Sequence, residues 1–331
     1  MTRAFRVLLI NPRATYAFEI AQKCYPPLNL LYLATALRQH CVDVRVLEAN
    51  ALAMTDEQIA EATRAYQPDL VGVPLYTEIM APVYRMVSAL AQAVPGTRFV
   101  FGGPHASALP DRVLADYPQV DFVMRGESEL SFPALCKALQ EGADLAGVKG
   151  LSFRKDGVVT HNPPADFARD LDATGFPARD LVMDVYEQKK YYTLLVRQRP
   201  VDTIMTSRGC PFHCNFCYNQ NHHYRHRSTD HVMEEIVAIR QRGIRNVEIV
   251  DDTFTFQRDR AMEIFDRLIR EGLGISFRIK SRVNVVDEEF LAKARAAGAY
   301  LIAYGCESGD DDMLRRMNKR TRAADNERAI R

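Results

Sequence analysis

The alternation of short apolar segments with amphipathic helical patterns is the sequence feature that most limits the fold. Five apolar segments in the first half predict β-strands: Arg6–Asn11, Val44–Ala49, Leu70–Leu75, Arg98–Gly103 and Phe122–Gly126. Each is followed by a helical pattern: Leu28–His40, Thr55–Tyr66, Met80–Val94, Asp111–Tyr117 and Glu129–Gln140. Apolar strands separated by helices predict an α/β fold with a doubly wound parallel sheet. Ligands of such sheets bind beyond the carboxyl ends of the strands.

A second βα series is predicted after a hairpin and a linker. The hairpin spans Val148–Asn162, with its turn at Lys155-Asp156-Gly157, and the linker runs to Pro200. Four βα units follow, with strands ending near Ser207 and at Asn246–Val250, Ile275–Val283 and Tyr300–Gly305. The expected domains are therefore 1–145, a hairpin with linker at 146–200, and a second βα domain at 201–331.

Composition limits the class of protein and its compartment. The chain has 331 residues, 47% hydrophobic and 26% charged, which is typical of a globular protein with two domains. A net charge of +1 gives no footprint of the kind that nucleic-acid binding needs. The sequence shows no apolar run of membrane-spanning length and no signal peptide. Seven cysteines without the pattern of a disulfide framework favour the reducing cytoplasm.

Three cysteines lie close together directly after a predicted strand. Cys210, Cys214 and Cys217 have the spacing C-x3-C-x2-C. Three thiolates so close can bind three irons of a [4Fe–4S] cluster and leave the fourth iron open. An open iron can hold a substrate or cofactor and deliver an electron to it by direct contact. The trio therefore predicts a redox site, and an exposed cluster favours an environment low in oxygen.

A structural zinc site is the alternative interpretation of these cysteines. Zinc requires four ligands in a closed tetrahedron, and His213, His222 or His223 is the candidate for the fourth. Cys306, the nearest further cysteine, is expected to be a small buried residue.

The cysteine spacing and the polar residues at later strand ends resemble the radical S-adenosylmethionine (SAM) superfamily. The resemblance implies that the open iron binds SAM and that one electron cleaves SAM to a 5′-deoxyadenosyl radical. The residues that it assigns to SAM are Phe216, Asp251, Asp252, Arg282, Glu307 and Ser308. Asp251 and Asp252 stand in place of the common Gly-Gly-Glu, and this variant is similar to cobalamin-type members.

Three cations alternate along the third strand of the second series. Arg278, Lys280 and Arg282 are spaced by two, so they share one face of the sheet. On a barrel interior they would require anions, of which the SAM carboxylate is one. An outward, solvated face is the alternative.

The first half of the chain resembles the cobalamin-binding domain of B12-dependent radical SAM enzymes. The residues that the resemblance assigns to cobalamin lie at strand ends: Asn11, Pro12, Tyr76, Thr77, Gly102, Gly103, His105, Gly126 and Glu127. Glycines at such positions let the backbone approach a large flat ligand. The motif Asp-x-His-x-x-Gly, whose histidine binds cobalt in other cobalamin domains, does not occur in the sequence. The lower axial ligand of the cobalt therefore stays unassigned.

Together the resemblances imply a cobalamin-dependent radical SAM enzyme that methylates an unactivated carbon, with SAM supplying both the radical and the methyl group. Oxidative cyclisation or another radical rearrangement, as in the anaerobic porphyrin cyclase branch, is the alternative with the same cofactors. The expected partner is an electron donor such as flavodoxin or ferredoxin. The sequence does not specify the substrate.

A non-catalytic module that binds cobalamin and iron–sulfur is the alternative from a different class. Four barrel strands are predicted, whereas the resemblance implies a partial barrel of six. We therefore expect a radical SAM barrel truncated after its fourth βα unit, with the fourth strand exposed as an edge. Such a portion would bind cofactors without turnover.

Overall fold

The computed structural model describes residues 4–14, 23–196, 198–217 and 223–331, which form two units. The amino-terminal unit consists of Met1–Ala168 and Thr174–Leu195, and the carboxyl-terminal unit of Arg169–Ala173 and Val196–Arg331. The region predicted as a linker is thus divided between the two units. Among the helices of the described ranges, none combines the length and the apolar character that crossing a membrane requires.

The amino-terminal unit alternates strands and helices as predicted. Its strands are β1 (Arg6–Asn11), β2 (Lys23–Cys24), β3 (Asp43–Glu48), β4 (Leu70–Pro74), β5 (Arg98–Gly102), β6 (Phe122–Met124), β7 (Leu151–Lys155), β8 (Val158–His161) and β9 (Tyr192–Thr193). Its helices are α1 (Leu28–Gln39), α2 (Asp56–Tyr66), α3 (Met80–Ala93), α4 (Gly103–Ala108), α5 (Pro110–Asp116), α6 (Phe132–Glu141) and α7 (Met183–Glu187). The sequence pattern did not indicate α4, a short helix that begins at the predicted glycine turn.

Seven of these strands form one sheet, in the order β3-β1-β4-β5-β6-β7-β8. The pairs from β3 to β6 are parallel, which confirms the predicted α/β class. The β7–β8 hairpin pairs antiparallel with β6, Phe153 lying opposite Phe122. The predicted hairpin therefore extends the sheet and does not stand apart from it.

Helices cover both faces of this sheet because successive strand residues point to opposite sides. Leu8 and Ile10 of β1 belong to a buried cluster that includes side chains of α2, α3 and α5. Val7 and Leu9 belong to a second buried cluster with side chains of α1 and α6. The carboxyl ends of the parallel strands meet at one edge, which is the edge where a ligand is expected.

The carboxyl-terminal unit is built around a second parallel sheet. Its strands are β10 (Val201–Ile204), β11 (Ser207–Arg208), β12 (Arg225–His226), β13 (Asn246–Ile249), β14 (Ser276–Ser281) and β15 (Ala299–Tyr304). Its helices are α8 (Thr229–Gln241), α9 (Arg258–Glu271), α10 (Glu288–Ala296), α11 (Asp311–Arg316) and α12 (Ala323–Ile330). Strands β10, β13, β14 and β15 pair in that order, all parallel, and β15 is the last strand of this sheet in the described residues.

Aromatic side chains form much of the core on the helical side of this sheet. Phe265 of α9 lies 5.8 Å from Phe254 and 5.8 Å from Phe277 of β14, between ring centroids. Its ring is also 5.3 Å from that of Phe290 of α10. Phe277 is buried, so its neighbours in sequence, Ser276 and Arg278, point to the opposite face.

Arg278 and Lys280 share the face of β14 opposite the helices, since Phe277 and Ile279, which alternate with them, are buried on the helical side. Arg278 pairs with Glu248 of β13 at 3.1 Å, and Glu248 is 6% exposed. The anion that Arg278 meets within the chain is thus a glutamate of the neighbouring strand. Lys280 is exposed, and Arg282 lies just beyond the end of β14.

Candidate functional site

The three predicted cluster cysteines lie on one loop of the carboxyl-terminal unit. This cysteine loop (209–217) follows β11 and contains neither helix nor strand. Cys210 and Cys214 are partly buried and Cys217 is exposed. The backbone N–H of Cys217 donates to the Cys214 carbonyl at 3.1 Å, which closes a turn between them. The loop begins shortly after the carboxyl end of β10, the side of a parallel sheet where ligands bind.

Charges of both signs act on the thiols. Burial raises the pKa of Cys210, and the nearby Asp252 and Cys217 raise it further. Arg282 acts in the opposite direction on that pKa. Its Nη1 also lies 3.7 Å from Cys214 Sγ, within reach of an N–H···S hydrogen bond. The loop therefore has a cation beside it that stabilises thiolates.

A segment far along the chain holds the cysteine loop in place. We call residues 316–319 the buttress segment. Asn215 donates from its backbone N–H and its Nδ2 to carbonyls of this segment at 3.0 and 2.8 Å. Asn318 of the segment donates in return from Nδ2 to the His213 carbonyl at 2.6 Å. No sequence pattern marked these residues, which are separated from the loop by about 100 positions.

The two adjacent aspartates after β13 have different surroundings. Asp251 is 1% exposed, and its carboxylate accepts hydrogen bonds at 2.6 Å from the Thr206 backbone N–H, the Thr206 hydroxyl and the Ser207 hydroxyl. These bonds tie β13 to the chain after β10. Asp252 is exposed and acts electrostatically on Cys210. Asp252 is therefore the carboxylate that faces solvent, while the bonds of Asp251 are structural.

The residues predicted to contact SAM after β15 are close to a lysine that the sequence did not single out. Glu307 has a left-handed backbone, with φ 63°, and its Oε1 accepts a bond from Lys319 Nζ at 2.9 Å. The Ser308 hydroxyl accepts a hydrogen bond from the backbone N–H of Asp310, just before α11.

Phe216 is 53% exposed, so it is not a core phenylalanine, and Lys319 Nζ lies 5.7 Å from its ring centroid. Cys306, expected to be buried, is partly exposed because it follows the end of β15.

The donor set of the cysteine loop fits an iron–sulfur cluster, since thiolates on one short loop are its usual ligands. In the ranges that the structure describes, no three Cys, His, Asp or Glu side chains are arranged as they stand to hold a metal ion. Of the alternative zinc ligands, His213 and His223 are exposed, and His222 lies outside the described residues.

A cavity of about 260 Å³ lies at the carboxyl ends of β4, β5 and β6 in the amino-terminal unit. Five of the predicted cobalamin residues line it: Tyr76, Gly102, Gly103, Gly126 and Glu127. Gly72 of β4 also lines it, and a Cβ added there would lie 2.8 Å from Leu9 Cδ2 and 3.6 Å from Phe132. The missing side chain at Gly72 therefore opens the floor of the cavity, a role that the sequence did not indicate.

Glycine is required at Gly103 for a different reason. Its φ is +87°, and a Cβ there would lie 3.0 Å from the Leu75 carbonyl oxygen. That carbonyl accepts a bond from the backbone of His105 at 3.1 Å, so the turn from β5 into α4 packs tightly on the end of β4. The predicted glycine pair thus brings backbone to the cavity wall.

The other predicted cobalamin residues lie at the same edge but are not among the described residues that line the cavity. Asn11 donates from Nδ2 to Glu48 Oε1 at 2.7 Å, and Pro12 is buried. Thr77 and His105 are paired through Oγ1 and Nδ1 at 2.9 Å. Their contact with cobalamin stays a prediction.

Glu48 is a buried carboxyl group that no motif indicated. It is 2% exposed and accepts hydrogen bonds from Asn11, from the Ala51 backbone at 3.1 Å and from the Tyr191 hydroxyl at 3.2 Å. Burial raises its pKa to about 7, even though these bonds act to lower it. The group joins β1, β3 and the chain next to β9 at the edge where the predicted cobalamin residues lie.

Two family models match the chain. The B12 binding domain matches residues 18–136, and the Radical SAM superfamily matches residues 204–331. The two matched regions coincide with the parts of the chain that contain the cavity and the cysteine loop.

Two relatives extend over nearly the whole chain. An uncharacterized methyltransferase of Pyrococcus horikoshii is 32% identical over 96% of this chain and 68% of its own length. The anaerobic magnesium-protoporphyrin IX monomethyl ester cyclase of Synechocystis is 30% identical, over 98% of this chain and 66% of its own length. The chain thus spans about two thirds of the length of these relatives.

Solved structures of the same fold cover 99% of the chain. The radical SAM methyltransferase TsrM of Kitasatospora setae, with cobalamin and a [4Fe–4S] cluster bound, has a TM-score of 0.80 at 18% identity over 64% of its length. The cobalamin-dependent SAM radical enzyme OxsB, with aqua-cobalamin and SAM bound, has a TM-score of 0.84 at 21% identity over 47% of its length. At such identities the likeness establishes the fold.

The fold and the family models define an enzyme class in which a B12-binding domain precedes a radical SAM domain. This chain belongs to that family of B12-binding radical SAM enzymes. The predicted fold class, enzyme class and set of cofactors, namely the [4Fe–4S] cluster, SAM and cobalamin, are confirmed at the level of the family.

Proposed function

We propose that this chain forms the cofactor-binding part of a cobalamin-dependent radical SAM enzyme that methylates an unactivated carbon. The observation that carries the proposal is the cysteine loop, with three thiols after the carboxyl end of β10 and both Asp252 and Arg282 beside it. Three thiols without a fourth cysteine ligand leave one iron of a cluster for the cofactor.

Polar and aromatic groups near the cysteine loop match the functional groups of SAM. Asp252, exposed and close to Cys210, would accept hydrogen bonds from the ammonium group. Phe216 offers an exposed ring on which the adenine would stack. Glu307 and Ser308, at the end of β15, would hold the polar remainder of the molecule. Asp251 would act indirectly, by fixing the chain around Thr206.

The cavity of the amino-terminal unit supports cobalamin binding. A corrin ring is too large for about 260 Å³, whereas the flat benzimidazole of the nucleotide tail is of suitable size and shape. We therefore assign the tail to the cavity and the corrin to the glycine-lined edge formed by Gly102, Gly103 and Gly126. Backbone at these glycines can approach the macrocycle closely.

When bound, SAM and cobalamin supply a carbon radical and a methyl group, respectively. The residues of the chain bind and orient the two cofactors. Methylation is favoured over cyclisation because the relative with 32% identity is named a methyltransferase. Cyclisation is the second candidate, since a cyclase is 30% identical over almost the whole chain.

Anaerobic reconstitution with iron, sulfide and hydroxocobalamin tests the proposal. We expect about four irons and four sulfides and about one cobalt per chain. Turnover with methyl-deuterated SAM and a low-potential reductant should then give both 5′-deoxyadenosine and S-adenosylhomocysteine, with label transferred to cobalamin. Cys214→Ala is the control and should lose the iron and the 5′-deoxyadenosine.

Each contrary result points to a different error. Zinc without sulfide would exclude the radical function, and failure to retain cobalt would exclude the cobalamin assignment. 5′-Deoxyadenosine without S-adenosylhomocysteine would exclude methyl transfer and favour cyclisation. A fully loaded chain that makes neither product would be the non-catalytic module.

A further inference from the structure

Arg282 is a buried cation that lies against the cysteine loop. It is 7% exposed, and its Nη1 is 3.7 Å from Cys214 Sγ. Its Nη2 donates to the carbonyl of Lys319, and its guanidinium carbon lies 3.9 Å from the ring centroid of Phe212. Its Nε is buried and has no partner among the described residues. A charge withdrawn from water to this extent requires a nearby anion.

None of these partners is a carboxylate. A carbonyl oxygen and the face of an aromatic ring provide only partial negative charge. The group that can become a full anion is the thiol of Cys214, and Arg282 also acts electrostatically on Cys210. Because a guanidinium stays charged at every accessible pH, this cation is a permanent feature of the site.

Lys319 is a second buried cation near the loop, but a carboxylate balances its charge. It is 6% exposed, and its Nζ bonds to Glu307 Oε1 at 2.9 Å. The field of this pair at the thiols is that of a dipole, which decreases with distance faster than that of a single charge. Of these two buried cations, Arg282 is therefore the one that acts more strongly at the cysteine loop.

We propose that Arg282 is a positioning residue that raises the reduction potential of the iron–sulfur cluster held by the cysteine loop. The inference rests on the proposed function, because it requires that cluster. The couple is a one-electron reduction in which an external low-potential flavoprotein or ferredoxin gives up the electron and no bond forms or breaks. A positive charge and an N–H···S bond both stabilise the more electron-rich state.

The geometry distinguishes this role from contact with the SAM carboxylate, which the sequence predicted for the same side chain. Both Nη atoms already have partners in the chain, and the group without a partner, Nε, is buried. A residue that served only SAM would leave the potential of the SAM-free cluster unchanged. The SAM-free potential is therefore the deciding measurement.

The test is a redox titration, followed by EPR, of the anaerobically reconstituted chain without SAM. At the ambient potential that half-reduces the wild-type cluster, we expect the reduced fraction in Arg282→Gln to be at least about two-fold smaller. Arg282→Lys keeps the charge but cannot reach both Cys214 and the Lys319 carbonyl. Its cluster should therefore have a reduction potential between that of wild type and that of Arg282→Gln. Arg270→Gln, which removes an exposed charge on α9, should match wild type.

Iron and sulfide content, measured on each sample, separates the possible failures. If the wild type holds no cluster, the proposed function is wrong and this inference falls with it. If the wild type holds a cluster and both Arg282 variants match its potential, the inference alone is wrong. If Arg282→Gln does not load, the comparison is between Arg282→Lys and wild type. A lysine variant with a potential equal to or above that of wild type then overturns the inference.

Discussion

At the scale of single residues, Glu48 shows how burial alters chemistry at the edge of the cobalamin domain. Its carboxyl group accepts bonds from Asn11, the Ala51 backbone and Tyr191, yet burial still raises its pKa to about 7. The neutral form of the carboxyl is therefore favoured in the fold over a pH range where the unfolded chain ionises it. Asn11, which the sequence assigned to cobalamin, is held by this group.

The raised pKa predicts how stability depends on pH. The unfolded carboxyl loses its proton near pH 4.5 and the folded one near 7, so between these values the folded state binds more protons and stability falls as pH rises. Glu48→Gln removes this dependence. The free energy of unfolding of the variant, taken relative to that of wild type, should rise by about 3 kcal/mol from pH 4 to pH 8. Most of this rise should occur between pH 4.5 and pH 7.

Hydrogen exchange of the cofactor-free chain, read at β1 and β3, measures this effect locally. Glu57→Gln, on the exposed face of α2, is the control and should follow the wild-type pH profile. A Glu48→Gln profile that runs parallel to wild type over this range would contradict the raised pKa.

At the scale of elements, the buttress segment shows that a loop with little structure of its own is held by a distant part of the chain. Asn215 and Asn318 provide reciprocal bonds between the cysteine loop and the buttress segment at the end of α11. Asn318 also adopts a left-handed backbone, with φ 51°, a conformation that asparagine tolerates better than most residues. Its side chain and its backbone both contribute to the support.

Two substitutions at Asn318 separate these contributions. Asn318→Gly keeps the left-handed backbone and loses the bond to the His213 carbonyl, which is worth about 1 kcal/mol. Asn318→Ala loses the bond and adds about 1 kcal/mol of backbone strain. We expect the rate of iron loss to a chelator to increase in the order wild type, Gly, Ala. Equal rates in all three would show that the buttress segment does not support the cluster.

At the scale of the whole molecule, the two units carry different candidate sites. The cavity belongs to the amino-terminal sheet, and the cysteine loop to the carboxyl-terminal sheet.

Separate sites predict that each cofactor can be lost without the other. Gly72→Val fills the cavity floor, so cobalamin affinity should fall at least about ten-fold while iron content stays at the wild-type level. Cys214→Ala should lose iron and retain cobalamin. Cobalt and iron analysis after gel filtration provides both readouts. Loss of both cofactors in either variant would contradict separate loading.

The patterns that are local in sequence were sufficient for the fold class, and the resemblance of the motifs to a known family indicated the cofactors. Apolar segments alternating with helices predicted both sheets, and the close spacing of the cysteines predicted the cluster loop. Gly102, Gly103 and Gly126, predicted to let the backbone approach a large flat ligand, all line the cavity, and a positive φ favours glycine at Gly103 and Gly126.

Contacts between distant residues were decided by the tertiary structure alone. Arg282 contacts Cys214, 68 residues away in the sequence, and Asn318 contacts His213, 105 residues away. The sequence treated Asp251 and Asp252 alike, yet packing buried the first against Thr206 and left the second exposed. Local patterns specify elements because backbone preferences act over a few residues. Which side chains then meet depends on how those elements pack, so the charges around the cluster follow from the packing of β14 and the buttress segment against the loop.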